Sequence, residues 1–320
     1  MDKKEFSLES IPSRKYFHTP GSQTIEIFYF IVFVVASLFV SQFLALLTLL
    51  PLHDFQLVTL MGKMNDLLSH PEMKLELLAI QGISSCLSFV IVPLLFIIWK
   101  EKYWRSFLST NSKNKYLLIL PTMLLVVVSL PFVSYLVQWN ESLVLPDFLS
   151  QFEIWAKEKE EFLKKITQAM TKLDSGFELI VGMLVIALLP ALGEELVFRG
   201  YLQNKFVQLF GSVHVAIWLS AFLFSAIHFQ FYGFVPRMIL GAIFGYLYLF
   251  TGQFHLPVIA HFTNNGLMLI MMYLKNKEYI KYDIESEENV TLSVAALSFA
   301  MMSFIFVVIM RQVKINHINN

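Results

Sequence analysis

The chain has 320 residues, 56% hydrophobic and 15% charged, with a mean hydropathy of +0.62 and a formal net charge of zero. Soluble domains carry about 25% charged residues, so a soluble globular fold is excluded and a polytopic membrane protein is indicated, with no charge signature of a nucleic-acid partner. Cys86 is the only cysteine and lies in an apolar run, which excludes an intrachain disulfide and a cysteine-built metal site.

Met1–Ser22 is polar and mixed in charge, and the apolar run after it is too long for the core of a signal peptide. Eight segments meet the ~20-residue criterion for crossing hydrocarbon. They are Ile25–Pro51, Leu77–Trp99, Tyr116–Trp139, Gly176–Glu195 (running on as helix), Val213–Phe229, Val235–Thr251, Leu256–Leu274 and Thr291–Met310. The expected fold is all-α, a polytopic bundle of about eight transmembrane helices. Trp99, Trp104, Trp139 and Tyr273 stand near span ends, where interfacial aromatics are common.

Basic residues cluster before the first span (Lys3, Lys4, Arg14, Lys15), after the second (Lys100, Lys102, Arg105, Lys113, Lys115) and after the last (Arg311, Lys314). An even number of spans puts all three clusters on one side, which the positive-inside rule makes cytoplasmic. The expected topology is N-in and C-in; Lys275, Lys277 and Lys281 on the other side weaken the bias. Between the third and fourth spans, Gln151–Leu173 carries an apolar stripe of Phe152, Trp155, Phe162, Ile166, Ala169 and Leu173 at helical spacing. It reads as a helix lying in the membrane interface, with nothing in it that suggests chemistry. Three regions follow: 1–175 with three spans and this helix, a core at 176–275, and a C-terminal loop, span and tail at 276–320.

The polar residues of the core are concentrated. Ala191–Gly200 reads ALGEELVFRG and ends an apolar run. Charges at bilayer depth cost at least ~2.5–3.5 kcal/mol each on insertion scales, so they mark a partner or a wet cavity. Glu195 and Arg199 are i,i+4 with the acid first and can pair on one helix face. Glu194 is turned roughly 100° away, which leaves one carboxylate neutralised and its neighbour free. With Gly211 as the turn of a helical hairpin, Glu194 lies 17 residues before it and His228 17 after it, at one depth. His261 and Asn265, i,i+4 in the seventh span, share a face.

A glutamate, two histidines and an asparagine on three helices suit hydrolysis of a carbonyl by activated water. A carboxylate beside an imidazole can deprotonate the water, and a second imidazole with an amide can donate to the developing oxyanion. Glu194, His228 and His261 also make a plausible zinc set with a water in the fourth position; the residues fix no cofactor, both arrangements serve the same reaction class, and Zn2+ is the one they would suit. Ser225, three residues before His228, leaves a serine mechanism open. Phe224 is i,i+4 to His228 and is expected to pack on its ring; Arg237 reads as a snorkelling anchor, and Gly241 with Gly245 as a close-packing GxxxG.

These residues resemble the CPBP family of intramembrane endopeptidases, the CAAX-processing and bacteriocin-processing or self-immunity proteins also called the Abi family. EELVFR at Glu194–Arg199, FSAIH at Phe224–His228 and HFTNN at His261–Asn265 match its three motifs in order. The resemblance covers about Phe177–Leu274. It implies that Glu194 and His228 activate water, that His261 and Asn265 line the oxyanion pocket or help hold a metal, and that Glu195 and Arg199 brace the first motif. Members are described both as metalloproteases and as metal-independent glutamate proteases. The expected partners are membrane lipid and a peptide or membrane-protein substrate, and the expected home is a bacterial inner membrane.

Two other readings compete. A proton- or ion-coupled transporter would use the same residues as a relay, but would more often show an internal repeat, and none is visible. A non-proteolytic immunity or scaffold protein would keep the residues yet leave Glu194 idle at a cost in insertion energy. One geometric difficulty stands: His228 falls near the end of its span and His261 near the start of the seventh, so straight spans of equal length would put the two at different depths.

Overall fold

The computed structural model describes residues 20–65, 73–101, 116–280 and 290–318. Trp104, Lys281 and the basic residues Lys3, Lys4, Arg14, Lys15, Lys102, Arg105, Lys113 and Lys115 lie outside them. Ten helices are present among the described residues: α1 (Pro20–Leu49), α2 (Leu57–Asn65), α3 (Lys74–Lys100), α4 (Ile119–Glu141), α5 (Ser150–Thr171), α6 (Gly176–Phe210), α7 (Val213–Ala226), α8 (Phe234–Thr251), α9 (His255–Asn276) and α10 (Leu292–Ile318). The protein is an all-α, polytopic integral membrane protein.

Six helices are long and apolar enough to cross a membrane: α1, α3, α4, α6, α8 and α10, the first and last over Gly21–His53 and Leu292–Val313. α7 is apolar but has only 14 residues, and α9, interrupted by His261, Asn264 and Asn265, is not among the six. Every expected span is thus a helix, while six rather than eight meet the length and apolarity of a full crossing. The outer faces of α1 and α10 expose large apolar side chains, among them Phe39 at 74% and Phe304 at 69%. In water such faces would associate; in lipid they are the solvated surface.

The bundle has three layers. α6 to α9 form the middle. On one side α1 and α3 close over α6 and α7 through Phe30, Phe96, Phe198 and Tyr201. On the other, α4 and α10 close over α8 and α9 through Leu125, Phe244, Leu256 and Ile309. Charge also ties the layers: Lys205 of α6, 1% exposed, reaches Glu26 of α1 at 2.9 Å and Glu101 after α3 at 2.6 Å. Pro131 interrupts α4. There Ser298 of α10 inserts its hydroxyl, accepting from the Phe132 N–H at 3.1 Å and donating to the Val128 carbonyl at 2.6 Å. The two groups that would have bonded to each other are satisfied, as hydrocarbon requires.

The turn at Gly211 is as expected. Gly211 adopts φ +67° and ends α6, and Ser212 caps α7 by accepting from the Val215 N–H. α6 itself runs unbroken over 35 residues, with π-helical stretches at Met183–Leu188 and Leu196–Gln203 flanking the segment that carries the glutamates. α3 crosses α6 so closely at Gly193 that a Cβ there would stand 2.6 Å from the Phe89 Cβ. Gly193→Ala must therefore push the two helices apart, at a cost of about 1–3 kcal/mol. A lower thermal midpoint in detergent is the expected result; an unchanged midpoint would mean that the α3–α6 contact yields freely.

Candidate active site

Glu195 is fully buried, and one oxygen carries its environment. Oε1 accepts from Arg199 Nη1 at 2.8 Å and from His261 Nδ1 at 2.9 Å. Arg199, also buried, donates through Nη2 to the Gly241 carbonyl at 2.7 Å, and its guanidinium lies 4.7 Å from the Phe224 ring centre. One turn further on, Gln203 repeats the contact by donating to the Gly245 carbonyl at 3.1 Å. The Gly241/Gly245 row is more than the close-packing signature expected of it: its bare backbone is the acceptor surface for α6.

Glu194 points elsewhere. Its Oε2 is buried without a hydrogen-bond partner and lies 4.0 Å from His228 Nε2 and 3.9 Å from His261 Nε2. Both imidazoles are fixed from behind. His228 Nδ1 faces the Phe224 carbonyl at 2.8 Å, and His261 Nδ1 faces Glu195. Each acceptor requires a proton on Nδ1, so in the neutral ring it is the lone-pair nitrogen, Nε2, that faces Glu194. Phe224 stands edge-on to both rings, at 5.5 Å from His228 and 5.7 Å from His261. Ser225 is engaged elsewhere, donating to the Phe234 carbonyl at 2.6 Å.

The depth difficulty disappears because α9 starts low. The Phe254 ring lies against Gly200, so α9 begins level with the middle of α6 and not with its end at Gly211. His261, one and a half turns in, then comes level with Glu195. Running antiparallel to α6, α9 next places Asn265, which donates to the Ile186 carbonyl at 3.4 Å. His228 sits just past α7, where Phe229 turns the chain with φ +53°, a conformation that favours glycine.

Glu194, His228, His261 and Asn265 line one cavity of about 1170 Å³. Its outer wall was not foreseen. α5 and the end of α4 roof it, contributing Glu141, Lys157, Glu160 and Lys164. Arg237 is a wall residue and not a snorkelling anchor: Nη2 donates to Gln230 Oε1 at 2.6 Å, and Gln230 Nε2 donates to Glu160 Oε1 at 3.3 Å. Burial holds the Glu160 carboxyl above the usual carboxylate range, against hydrogen bonds and the Arg237 charge, which pull it down. Buried Asn140 of α4 fixes the intervening loop, donating to the Phe231 carbonyl and accepting from the Val235 N–H, each at 3.1 Å. Charged residues on the polar face of α5 were the available signal, but nothing in the sequence pairs them with residues 70 positions away.

The zinc set expected at Glu194, His228 and His261 does not fit as arranged. The residue chemistry suits zinc, including a carboxylate behind His261. Legs of ~2.0–2.1 Å, however, give tetrahedral edges of about 3.3 Å, and the observed spacings are 4.0 and 3.9 Å. No group of three or more His, Cys, Asp or Glu among the described residues is arranged to hold a metal ion.

Arg199→Ala would leave Glu195 buried and unpaired, a loss of about 3–5 kcal/mol. The expected outcome is a lower thermal midpoint and yield. A variant of wild-type stability that binds or turns over nothing would instead put the guanidinium in direct contact with a ligand.

Residues 176–267 match the family model described as type II CAAX prenyl endopeptidase Rce1-like. A curated relative, the uncharacterized protein YpbD of Bacillus subtilis (strain 168), is 27% identical over 113 residues, 33% of this chain and 55% of the relative. The chain thus spans about half the length of the curated relative it matches. No solved structure matches it. The matched stretch holds the motifs at Glu194–Arg199, Phe224–His228 and His261–Asn265, so the similarity to the Rce1-like, type II CAAX prenyl endopeptidase model falls on the residues that line the site.

Proposed function

We propose that the protein is an intramembrane endopeptidase that hydrolyses peptide bonds with a water activated by Glu194 and His228. The observation that carries the reading is the buried, unpartnered Glu194 Oε2, about 4 Å from two imidazole Nε2 atoms inside a cavity roomy enough for a peptide. Contacts of that length suit one bridging water.

In this mechanism the water donates one hydrogen bond to Glu194 and one to an imidazole Nε2. Its proton passes to the Glu194 carboxylate as its oxygen attacks the carbonyl carbon. The carbonyl π bond opens onto oxygen, and the oxyanion develops against the Asn265 amide N–H, with His261 beside it. General-base help contributes typically 10²–10⁴-fold, and each oxyanion donor about 2.7–4 kcal/mol. As the C–N bond breaks, the proton held by Glu194 moves to the leaving amine. Glu195 and Arg199 touch no substrate in this scheme; they fix His261 in its tautomer and keep α6 and α8 in register.

Peptide or membrane-protein substrates, a bacterial inner membrane and an N-in, C-in topology complete the reading. With the N-terminus inside, the alternation of α1, α3 and α4 puts Glu141 and α5 outside, so the cavity mouth faces the outer surface.

The test is cleavage of a peptide library by purified protein beside Glu194→Gln. The expected result is at least ~10²-fold loss of turnover with an unchanged thermal midpoint, and wild-type turnover unaffected by a chelator. Equal turnover in the variant sinks the mechanism. Loss of wild-type turnover with the chelator would keep the site and assign the water to a metal.

A further inference from the structure

Two buried polar atoms in the cavity wall have no role in the hydrolysis described above. Arg237 Nη1 and Glu160 Oε2 are each buried without a well-formed hydrogen bond, the Tyr232 N–H being the one backbone donor that approaches the Glu160 carboxylate. Both residues line the same cavity as Glu194, His228 and His261. One offers an N–H and the other a carboxylate oxygen, so the obvious arrangement would be a direct ion pair. It does not form, because the Gln230 amide is wedged between them, accepting from Arg237 Nη2 at 2.6 Å and donating to Glu160 Oε1 at 3.3 Å. Gln230 is itself on the loop that Asn140 pins from α4, and the Arg237 guanidinium lies over Gly233, where a Cβ would stand 3.0 Å from Nη2. The spacing of the two free atoms is therefore built in.

A ligand that completes this arrangement must supply one acceptor and one donor at a set separation. A free carboxylate supplies two acceptors and a negative charge, which would serve Arg237 and be repelled by Glu160. An extended peptide residue presents its own C=O and N–H along one edge, the pairing that strands use with each other. Accepting the hydrolase reading for the cavity, we infer that Arg237 and Glu160 form a subsite for one extended residue of the substrate main chain, Arg237 Nη1 donating to its carbonyl and Glu160 Oε2 accepting from its N–H. The subsite reads backbone and not side chain, and it is built from α5 and the start of α8, with the Arg237 charge also felt at Glu194. It aligns the peptide without touching the reacting atoms.

The test uses full-length protein and a peptide that wild type cleaves, with Arg237→Gln, Glu160→Gln and Gly233→Ala, the last displacing the guanidinium while leaving it in the chain. Each variant should raise KM about tenfold, the scale of one hydrogen bond to a charged group, with kcat within about twofold, as expected when uniform binding is lost. The same peptide is then made with each amide near the cut replaced in turn by an ester, which removes one N–H. One ester position should weaken wild type and cost nothing further in Glu160→Gln; this readout holds even if a variant folds poorly. Unchanged KM in the variants, or no ester position coupled to Glu160, overturns the subsite. So does an Arg237 effect that vanishes when the peptide's terminal carboxylate is amidated. Peptide binding to Glu194→Gln protein, followed by fluorescence anisotropy, separates the two proposals. Binding that depends on Arg237 and Glu160, without turnover by wild type, upholds the subsite and sinks the hydrolase.

Discussion

The middle layer depends on one buried ion pair. Glu195 and Arg199 are both fully out of solvent, where each charge alone carries a desolvation penalty of several kcal/mol. Pairing repays that only as far as other polar atoms are served; Glu195 Oε2 and Arg199 Nε keep no partner, and the neighbouring helices serve the rest. α8 presents the Gly241 carbonyl, α9 presents His261, and α7 presents the face of Phe224 to the guanidinium. Three helices are thus held to α6 by the requirement that one arginine and one glutamate stay neutralised in apolar surroundings. Move any of them by a turn and a buried charge loses its partner.

That constraint also divides the labour between adjacent glutamates. Because Glu195 takes both Arg199 and His261, a proton of His261 is held at Nδ1 and its Nε2 is turned toward Glu194. The Phe224 carbonyl does the same for His228 from a different helix. Two imidazoles oriented from behind by acceptors converge on Glu194, the carboxylate that the arginine does not reach. The site's chemistry follows from where the hydrogen bonds behind it are spent.

The parts of this arrangement legible in the sequence are those set by local geometry. The i,i+4 spacing of Glu195 and Arg199, the helical turn at Gly211 and the shared face of His261 and Asn265 are properties of a helix, whatever surrounds it. The level at which α9 begins is not local. It depends on Phe254 packing beside Gly200, a contact made 54 residues apart, so the two histidines looked mismatched in depth. Nor could a full crossing be distinguished from a short helix where α7 gives way to the turn at His228. Arg237 was misread for the same reason: a cation beside a span end looks like an anchor until Asn140, 95 positions from Val235, fixes the loop that aims it inward.

The boundary of the family match then acquires a structural meaning. Residues 176–267 contain all the groups around Glu194, together with Gln230 and Arg237. Glu160, Asn140, Glu141 and the polar face of α5, which make the opposite wall and mouth of the cavity, lie before that boundary. The buried ion pair has its partners on three neighbouring helices, so a change in any of them leaves a charge or a carbonyl unserved. On the α5 wall the corresponding constraint falls on Glu160 alone, through Gln230 and Arg237, and the exposed residues beside it carry none. In this chain that opposite wall is built by α4 and α5, outside the matched segment, while the groups around Glu194 lie within it.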